Sequence, residues 1–345
     1  MRLDPGLPIA AVTCWLPSRR ETAAEAIADG RLDAAHATKQ GYLAATVSDD
    51  LAPPEMAVLA ATAALAAAGW DAAEIGLVLH AWTYYQGHDF WSPAHFVADR
   101  VGAHRAVPVG VQQMCNGGAA AIEIAAAMLL ADPATTRAVV TTADRFVAPG
   151  FDRWSGDYGT SYGDGATALL LAAPETEPAP PLRLLATTTI AVSELETMHR
   201  GGDPFSPAPR MVSSQVDSRR TLKHFLATGG GPVMAGHAAA TARAVLATAL
   251  ADARVAADDP RLRVVALPRL GHDVLDDDYP AGLGCGPATT VLRLGSDTGH
   301  LGAGDPIANL AAIQDTGALA PGEVAVLLSV GAGFTWSALV VEAQP

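Results

Sequence analysis

Cysteine, aromatic side chains, positive charge and long apolar runs are all scarce in this chain of 345 residues. The three cysteines, Cys14, Cys115 and Cys285, are odd in number and widely spaced, so they form neither a disulfide framework nor a set of metal ligands. Reduced thiols, and a protein with no metal and no cofactor, are the expectation. Lys and Arg number 22 against 36 Asp and Glu, a net charge of −14. That balance argues against nucleic acid and against anionic membrane surfaces as partners. No stretch reaches ~18 apolar residues without a charge, Pro or Gly, and the N-terminus shows no basic region leading into an apolar one. A soluble, cytoplasmic protein is expected.

What the chain does have is alanine. Half of its residues are hydrophobic while only 6% are aromatic, a composition that favours helices and close packing. The length exceeds one compact core, so two packed halves are expected. Short β-like runs alternate with longer helical ones: a helix over 55–68 ended by Gly69, a strand from Ile75, a helix over 96–101, a strand over 107–112, a helix over 117–131, then strands at 139–143 and 166–172. A similar order returns as a helix over 234–251, a strand from Leu262, a helix over 307–315 and a strand over 323–330. This is an α/β pattern with mostly parallel sheets. The Pro-rich stretch 175–181 reads as the connection, giving halves of 1–174 and 175–345. Residues 200–220 are polar and irregular, a substrate-facing flap or a partly ordered loop.

One cysteine stands apart. Cys115, in Val109-Gly-Val-Gln-Gln-Met-Cys-Asn-Gly-Gly, lies where an apolar extended run ends and an Ala-rich helical run begins. A helix N-terminus favours the thiolate and leaves unpaired backbone N–H groups beside it for an oxyanion. Gly117 and Gly118 would let a substrate approach closely. The alternative is a buried, inert thiol, and that reading suits Cys14 and Cys285, neither of which has a helical run directly after it.

Four motifs in order, Met114-Cys-Asn-Gly-Gly-Ala, Tyr162-Gly-Asp-Gly-Ala-Thr, Gly299-His-Leu-Gly-Ala-Gly-Asp and Val330-Gly-Ala-Gly-Phe-Thr-Trp, resemble the successive signatures of the thiolase superfamily. The nearest branch is β-ketoacyl-ACP synthase III. The resemblance implies a duplicated five-layered α/β/α/β/α fold, a homodimer, and a cysteine that forms an acyl-thioester intermediate. It also implies that His272 is the general base, that the backbone N–H groups of Cys115 and of Ala332, in the Gly331-Ala-Gly turn, form the oxyanion hole, and that residues 162–165 build structure around the site.

Two departures from the family pattern carry information. Condensing members have Gly-Asn-Thr-Ser in the third motif; here His300 stands at the asparagine and Asp305 follows. The change removes an amide donor and adds a titratable base. It points away from decarboxylative condensation and toward acyl transfer to a hydroxyl, amine or thiol by a set of Cys115, His272 and Asp305, with His300 as the alternative base and a helix N-cap as the alternative role of Asp305. The resemblance is then to the acyltransferase branch found in polyketide and antibiotic biosynthesis. A decarboxylating chain-initiating synthase and a non-catalytic ketosynthase partner subunit are the competing readings. The second departure is at the donor. Asp157-Tyr158-Gly159 stands where coenzyme A users carry a basic residue, with Arg153 and Trp154 nearby to compensate. An acyl carrier protein or acyl-CoA is the expected donor, a small molecule or a carrier protein the acceptor, and Arg210, Arg219, Arg220 and Lys223 are either a carrier-docking patch or a solvated face. Phe90 and Trp91 are candidates to line a partner subunit's acyl pocket, or else simply bury their loop.

Overall fold

Apolar strands buried on both faces, their side chains pointing alternately to one layer and the next, build this protein. The computed structural model describes all residues except 175, 177, 178 and 280–282. Part of the expected Pro-rich connection therefore lies outside the described residues. The strands are β1 (Arg2–Trp15), β2 (Arg20–Thr22), β3 (Ala44–Thr46), β4 (Leu77–Ala81), β5 (Val107–Val111), β6 (Arg137–Asp144), β7 (Gly165–Ala172), β8 (Leu182–Ala191), β9 (Leu262–Ala266), β10 (Thr290–Leu292), β11 (Val324–Gly331) and β12 (Thr335–Ala343). The helices are α1 (Ala23–Ala28), α2 (Ala34–Gln40), α3 (Pro53–Ala68), α4 (Pro93–Val101), α5 (Gly117–Ala131), α6 (Thr197–Arg200), α7 (Ser218–Ala227), α8 (Gly230–Ala253), α9 (His272–Asp278) and α10 (Asp305–Asp315).

Ten strands join in the order β10-β9-β11-β12-β8-β1-β7-β6-β4-β5. Reading outward from the middle, β1-β7-β6-β4-β5 pairs antiparallel, antiparallel, parallel, parallel. The series β8-β12-β11-β9-β10 repeats that pattern step for step. An antiparallel β1–β8 pair, Leu7 opposite Leu184, joins the two repeats, so five of the nine pairings in this sheet are antiparallel and the expectation of mostly parallel sheets holds only for its outer strands.

The period-two alternation of side chains between the two faces then assigns the layers. In β4, Leu77, Leu79 and Ala81 face a central cluster, while Val78 faces an outer one shared with α3 and α4. In β11, Ala325 and Leu327 face the same central cluster, while Val326, Leu328 and Val330 face α8. Helices α5 and α10 fill the centre between the half-sheets, so the protein is a five-layered, duplicated α/β/α/β/α fold of thiolase type.

The central position explains the alanine. A helix covered on both sides is apolar all round, and α5 buries Ala119, Ala120, Ala121, Ala125 and Ala126. The segments Met114–Ala131 and Gly230–Ala253 are each long and apolar enough to cross a membrane. The first forms this central layer and the second packs its buried side on the second half-sheet.

The expected strands and helices recur within a few residues of their predicted ends. Strands β1, β8 and β12, which form the middle of the sheet, were not anticipated, nor were the short β2, β3 and β10. Thr187, Thr188 and Thr189 of β8 and Ser337 of β12 hide the alternation expected of a half-buried strand, yet all four stand in register in the middle of the sheet.

Gly118 marks the closest approach in the central layer. A Cβ there would lie 2.3 Å from the carbonyl oxygen of Ala303. These glycines thus admit the chain's own 302–304 turn, and the expected role of admitting substrate falls to other residues. Gly118→Ala is expected to separate α5 from that turn and destabilise the fold by about 3 kcal/mol, read as a lowered denaturant midpoint; an unchanged midpoint would contradict this packing.

Candidate active site

Strand β5 ends at Val111 and the chain reaches α5 through a single tight turn, Met114–Asn116. Met114 takes a left-handed conformation, φ +50°, which costs a side-chain-bearing residue about 1–2 kcal/mol and turns the backbone sharply just before the thiol. Cys115 is half-buried and lines a cavity of about 750 Å³. Behind it Asn116 is fully buried, its amide donating to Gln113 Oε1 at 2.8 Å and Ser337 Oγ at 2.9 Å.

His300 is brought to the thiol by the 162–165 motif. The His300 N–H donates to the Ser161 carbonyl and the Gly163 N–H to the His300 carbonyl, both at 2.9 Å. Gly163 permits this because a Cβ there would fall 1.7 Å from the Thr298 carbonyl oxygen. Asp164 is a structural anchor: Arg153 grips both its oxygens at 3.1 Å, and the Ser48 and Phe146 N–H groups donate to it at 2.8 Å.

The His300 ring is oriented by Asp305. Its Nδ1 lies 2.6 Å from Asp305 Oδ2, an acceptor that keeps the Nδ1 proton in place and leaves Nε2 for the thiol. Cys115 lies within interaction range of the ring, and Nε2 closes no hydrogen bond in the resting geometry. Such bonds commonly tighten only when substrate is bound. Asp305, the first residue of α10, also accepts from the Arg269 N–H at 2.7 Å and the Leu301 N–H at 2.9 Å. Its carboxylate therefore reaches back to the loop and does not cap the helix, whose N-cap is Gly304.

Both members of the pair are 1% exposed, so their charges depend on each other. Burial alone would neutralise His300, but the Asp305 carboxylate and the neighbouring Cys115 outweigh it and hold the imidazole well above its ordinary range. Burial likewise pushes Asp305 up, and His300, the Arg269 charge and the Leu301 N–H bring it below the usual carboxylate value.

The turn after β11 completes the near wall. A Cβ on Gly331 would sit 2.5 Å from the Asn116 nitrogen, so this turn lies directly on the cysteine turn. Gly331 and Ala332 line the cavity. Among the described residues neither the Cys115 nor the Ala332 N–H has a backbone acceptor. The remaining wall mixes apolar side chains such as Met198, Leu222, Met234 and Phe334 with Asp157, Asp273 and Asp278.

His272 stands elsewhere. It begins α9 against Gly41, where a Cβ would come 2.3 Å from its Nδ1, and it lines a separate cleft with Gln40 and Tyr42. Strand β9 delivers Arg269 to the site, and Leu270-Gly271 then carries His272 away. The expected pairing of Asp305 with His272 is thus replaced by Asp305 with His300.

Phe90 is fully exposed, Trp91 packs on His88 and Phe96, and neither lines this chain's cavity. Arg153 is bound to Asp164 and Trp154 to Glu21, so neither compensates at the donor position. Arg210 bonds the Ser214 carbonyl, Arg219 the Asp157 carbonyl and Arg220 both oxygens of Asp203; of the four basic candidates only Lys223 lines the cavity. Sequence reasoning missed Lys39, which also lines it. The signal was rarity, since Lys39 and Lys223 are the only two lysines in the chain. His199 was missed as well; its ring packs on Phe334, and burial lowers its proton affinity, partly opposed by Asp157.

Residues 109–187 match the family described as 3-oxoacyl-[acyl-carrier-protein (ACP)] synthase III, and residues 250–343 match the family of its C-terminal part. The β-ketoacyl-[acyl-carrier-protein] synthase III of Rhodospirillum rubrum is 30% identical over 83% of each chain. That of Sphingopyxis alaskensis is 28% identical over 82% of this chain and 81% of its own. A solved structure named as the acyltransferase ChlB3 superposes with a TM-score of 0.88 at 32% identity, covering 99% of this chain and 98% of that one. The 3-oxoacyl-[acyl-carrier-protein] synthase III of Aquifex aeolicus VF5 superposes at 0.77 with 19% identity, over 98% and 100%.

The electrostatics predict a pH window. His300 is raised on folding, so its share of stability is full below the unfolded imidazole value of ~6.5 and is lost as pH rises through the raised value. Asp305 is lowered, so its share is present above ~3.9 and is lost as pH falls. Asp305→Asn should therefore cost most stability between those limits, and its His300 ring should deprotonate at lower pH in histidine NMR. Equal ring titrations in the two proteins would rule out the pairing.

Proposed function

The chain belongs to the 3-oxoacyl-[acyl-carrier-protein] synthase III family, and on that premise we propose that it is an acyltransferase working through an acyl-Cys115 intermediate. The observation that carries the reading is the His300–Asp305 pair facing the thiol. The Cys115 thiolate attacks a thioester carbonyl, and the developing oxyanion is received by the N–H groups of Cys115 and Ala332. As the tetrahedral adduct collapses, His300 gives its proton to the leaving thiol. Acylation removes the thiolate charge, one of the two that raise His300, so the neutral ring becomes accessible as a base. An acceptor hydroxyl, amine or thiol then attacks the acyl carbonyl, its proton passes to Nε2, and Cys115 leaves as thiolate. Asp305 stays ionised throughout and holds the ring.

Condensation makes a different demand. Loss of carbon dioxide from a malonyl thioester leaves an enolate that condensing members of the family meet with an asparagine amide, and among the described residues no Asn or Gln lines this cavity. The acyltransferase reading also draws on the likeness to ChlB3. The donor is a thioester on an acyl carrier protein or coenzyme A, whose phosphate groups suit Lys39 and Lys223 on the cavity wall. A homodimer serving polyketide or related biosynthesis in the cytoplasm fits this role. Decarboxylative chain initiation is the second reading, because the Rhodospirillum and Sphingopyxis relatives carry the synthase III name.

Intact-protein mass spectrometry with a panel of acyl thioesters, malonyl included, tests the assignment. An adduct absent in Cys115→Ala and formed without carbon dioxide release is expected. His300→Ala should slow transfer to added acceptors by about 10²–10⁴-fold. Carbon dioxide release with a chain-extended product would replace this reading by condensation, and no adduct from any donor would refute the intermediate.

A further inference from the structure

Arg269 is a buried cation, 4% exposed, directly behind the pair that faces Cys115. Its side chain donates to neutral oxygens, Asn309 Oδ1 at 2.8 Å through Nε and Thr298 Oγ1 at 2.8 Å through Nη1. Its backbone N–H donates to Asp305 Oδ2 at 2.7 Å, the same oxygen that receives His300 Nδ1. The Tyr42 hydroxyl donates to its carbonyl at 2.7 Å, so backbone and side chain are both fixed. A charge in such surroundings is compensated by the nearest opposite charge, even without direct contact. Here the carboxylate that accepts from this residue's own backbone N–H and is lowered by its charge is that of Asp305.

We propose that Arg269 is the charge-balancing residue of this site: its guanidinium shares the Asp305 carboxylate with His300 and so lets the buried imidazole give up its proton. The proposal rests on the acyltransfer reading only for its purpose. With Arg269 present, the state with a neutral ring carries Arg⁺ and Asp⁻ and is neutral overall. Without it the same state would leave an uncompensated buried carboxylate, and the imidazolium would be locked in place. Acyl transfer needs the ring in both forms, and condensation at a fixed donor needs only one. The lowering of Asp305 by Arg269 agrees with this sharing. The other titratable groups acting on the pair include Cys115 at the cysteine turn, Asp144 at the end of β6, Cys14 in β1, and the buried phenols of Tyr42, Tyr162 and Tyr279. Only Arg269 among them contributes a permanent positive charge.

The ring's own titration tests this. In a Cys115→Ala background, which removes the thiol, the His300 signal is assigned by its loss in His300→Asn and followed by histidine NMR against pH. Arg269→Gln should raise the ring's midpoint by about one pH unit, a tenfold change in proton affinity, and Arg269→Lys should restore it. Asn309→Asp provides a second route that keeps the arginine: a carboxylate on Nε neutralises the guanidinium and should raise the midpoint in the same sense, which covers the case in which Arg269→Gln does not fold. An unchanged or lowered midpoint in Asn309→Asp, or in folded Arg269→Gln, would overturn the proposal. No substrate is involved, so failure here leaves the acyltransfer reading standing, and failure of acyl loading leaves this result unaffected.

Discussion

The hydrogen bond between His300 Nδ1 and Asp305 Oδ2 is the constraint around which the site is arranged. Two ionisable groups withdrawn from water cost several kcal/mol each in solvation, and their attraction offsets that only when the geometry is held and every remaining lone pair is used. The surrounding chain holds the geometry by close approach of backbone, and of the pair's polar side-chain atoms only His300 Nε2 is left without a partner among the described residues. Gly163 gives way to the 298–300 segment, Gly118 to the carbonyl of Ala303, and Gly302, at φ +59°, to the Asp144 carboxylate, which in turn accepts from the Ala303 N–H at 3.1 Å. Each of these contacts excludes a β-carbon, and together they fix both ends of the loop that carries the pair.

Much of this was written in the chain in readable form. The strands and helices of the parallel part of each half-sheet followed from runs such as Leu77–Ala81 and Gly117–Ala131, whose apolar character reflects burial on two sides. The strands next to the sheet's middle were harder to see. In β8 and β12, Thr and Ser stand where β-branching and hydrogen bonding to neighbours serve the sheet as well as hydrocarbon does: Thr189 Oγ1 and Ser337 Oγ lie 2.8 Å apart across the register.

At the site the four motifs did converge, but one residue was misplaced. His272 was assigned from the family resemblance and its place shortly after a strand, and spacing along a loop says little about direction. Two residues of loop, Leu270 and Gly271, suffice to turn the chain into α9 and take the imidazole out of the cavity. The five-residue separation of His300 and Asp305 held the better clue. A carboxylate at the start of a helix whose own cap is a glycine is free to point back at the loop before it.

The duplication accounts for where the chemistry falls. Helices α5 and α10 occupy equivalent places in the two repeats, side by side in the central layer. Each begins at the cavity end, α5 directly after Cys115 and α10 directly after the loop of His300. Two helix N-termini therefore converge on one locus, and each carries roughly half a positive charge. That field favours whatever is negative there: a thiolate, an oxyanion on an attacked thioester, and the Asp305 carboxylate at the first position of α10. It opposes the imidazolium. A neutral partner at His300's position would have sensed little of this. The pull of Asp305 and Cys115 prevails over burial and two helix ends and holds the imidazole above its ordinary range, and in the proposed reaction the cysteine and the histidine come from separate repeats whose helix termini the fold brings together.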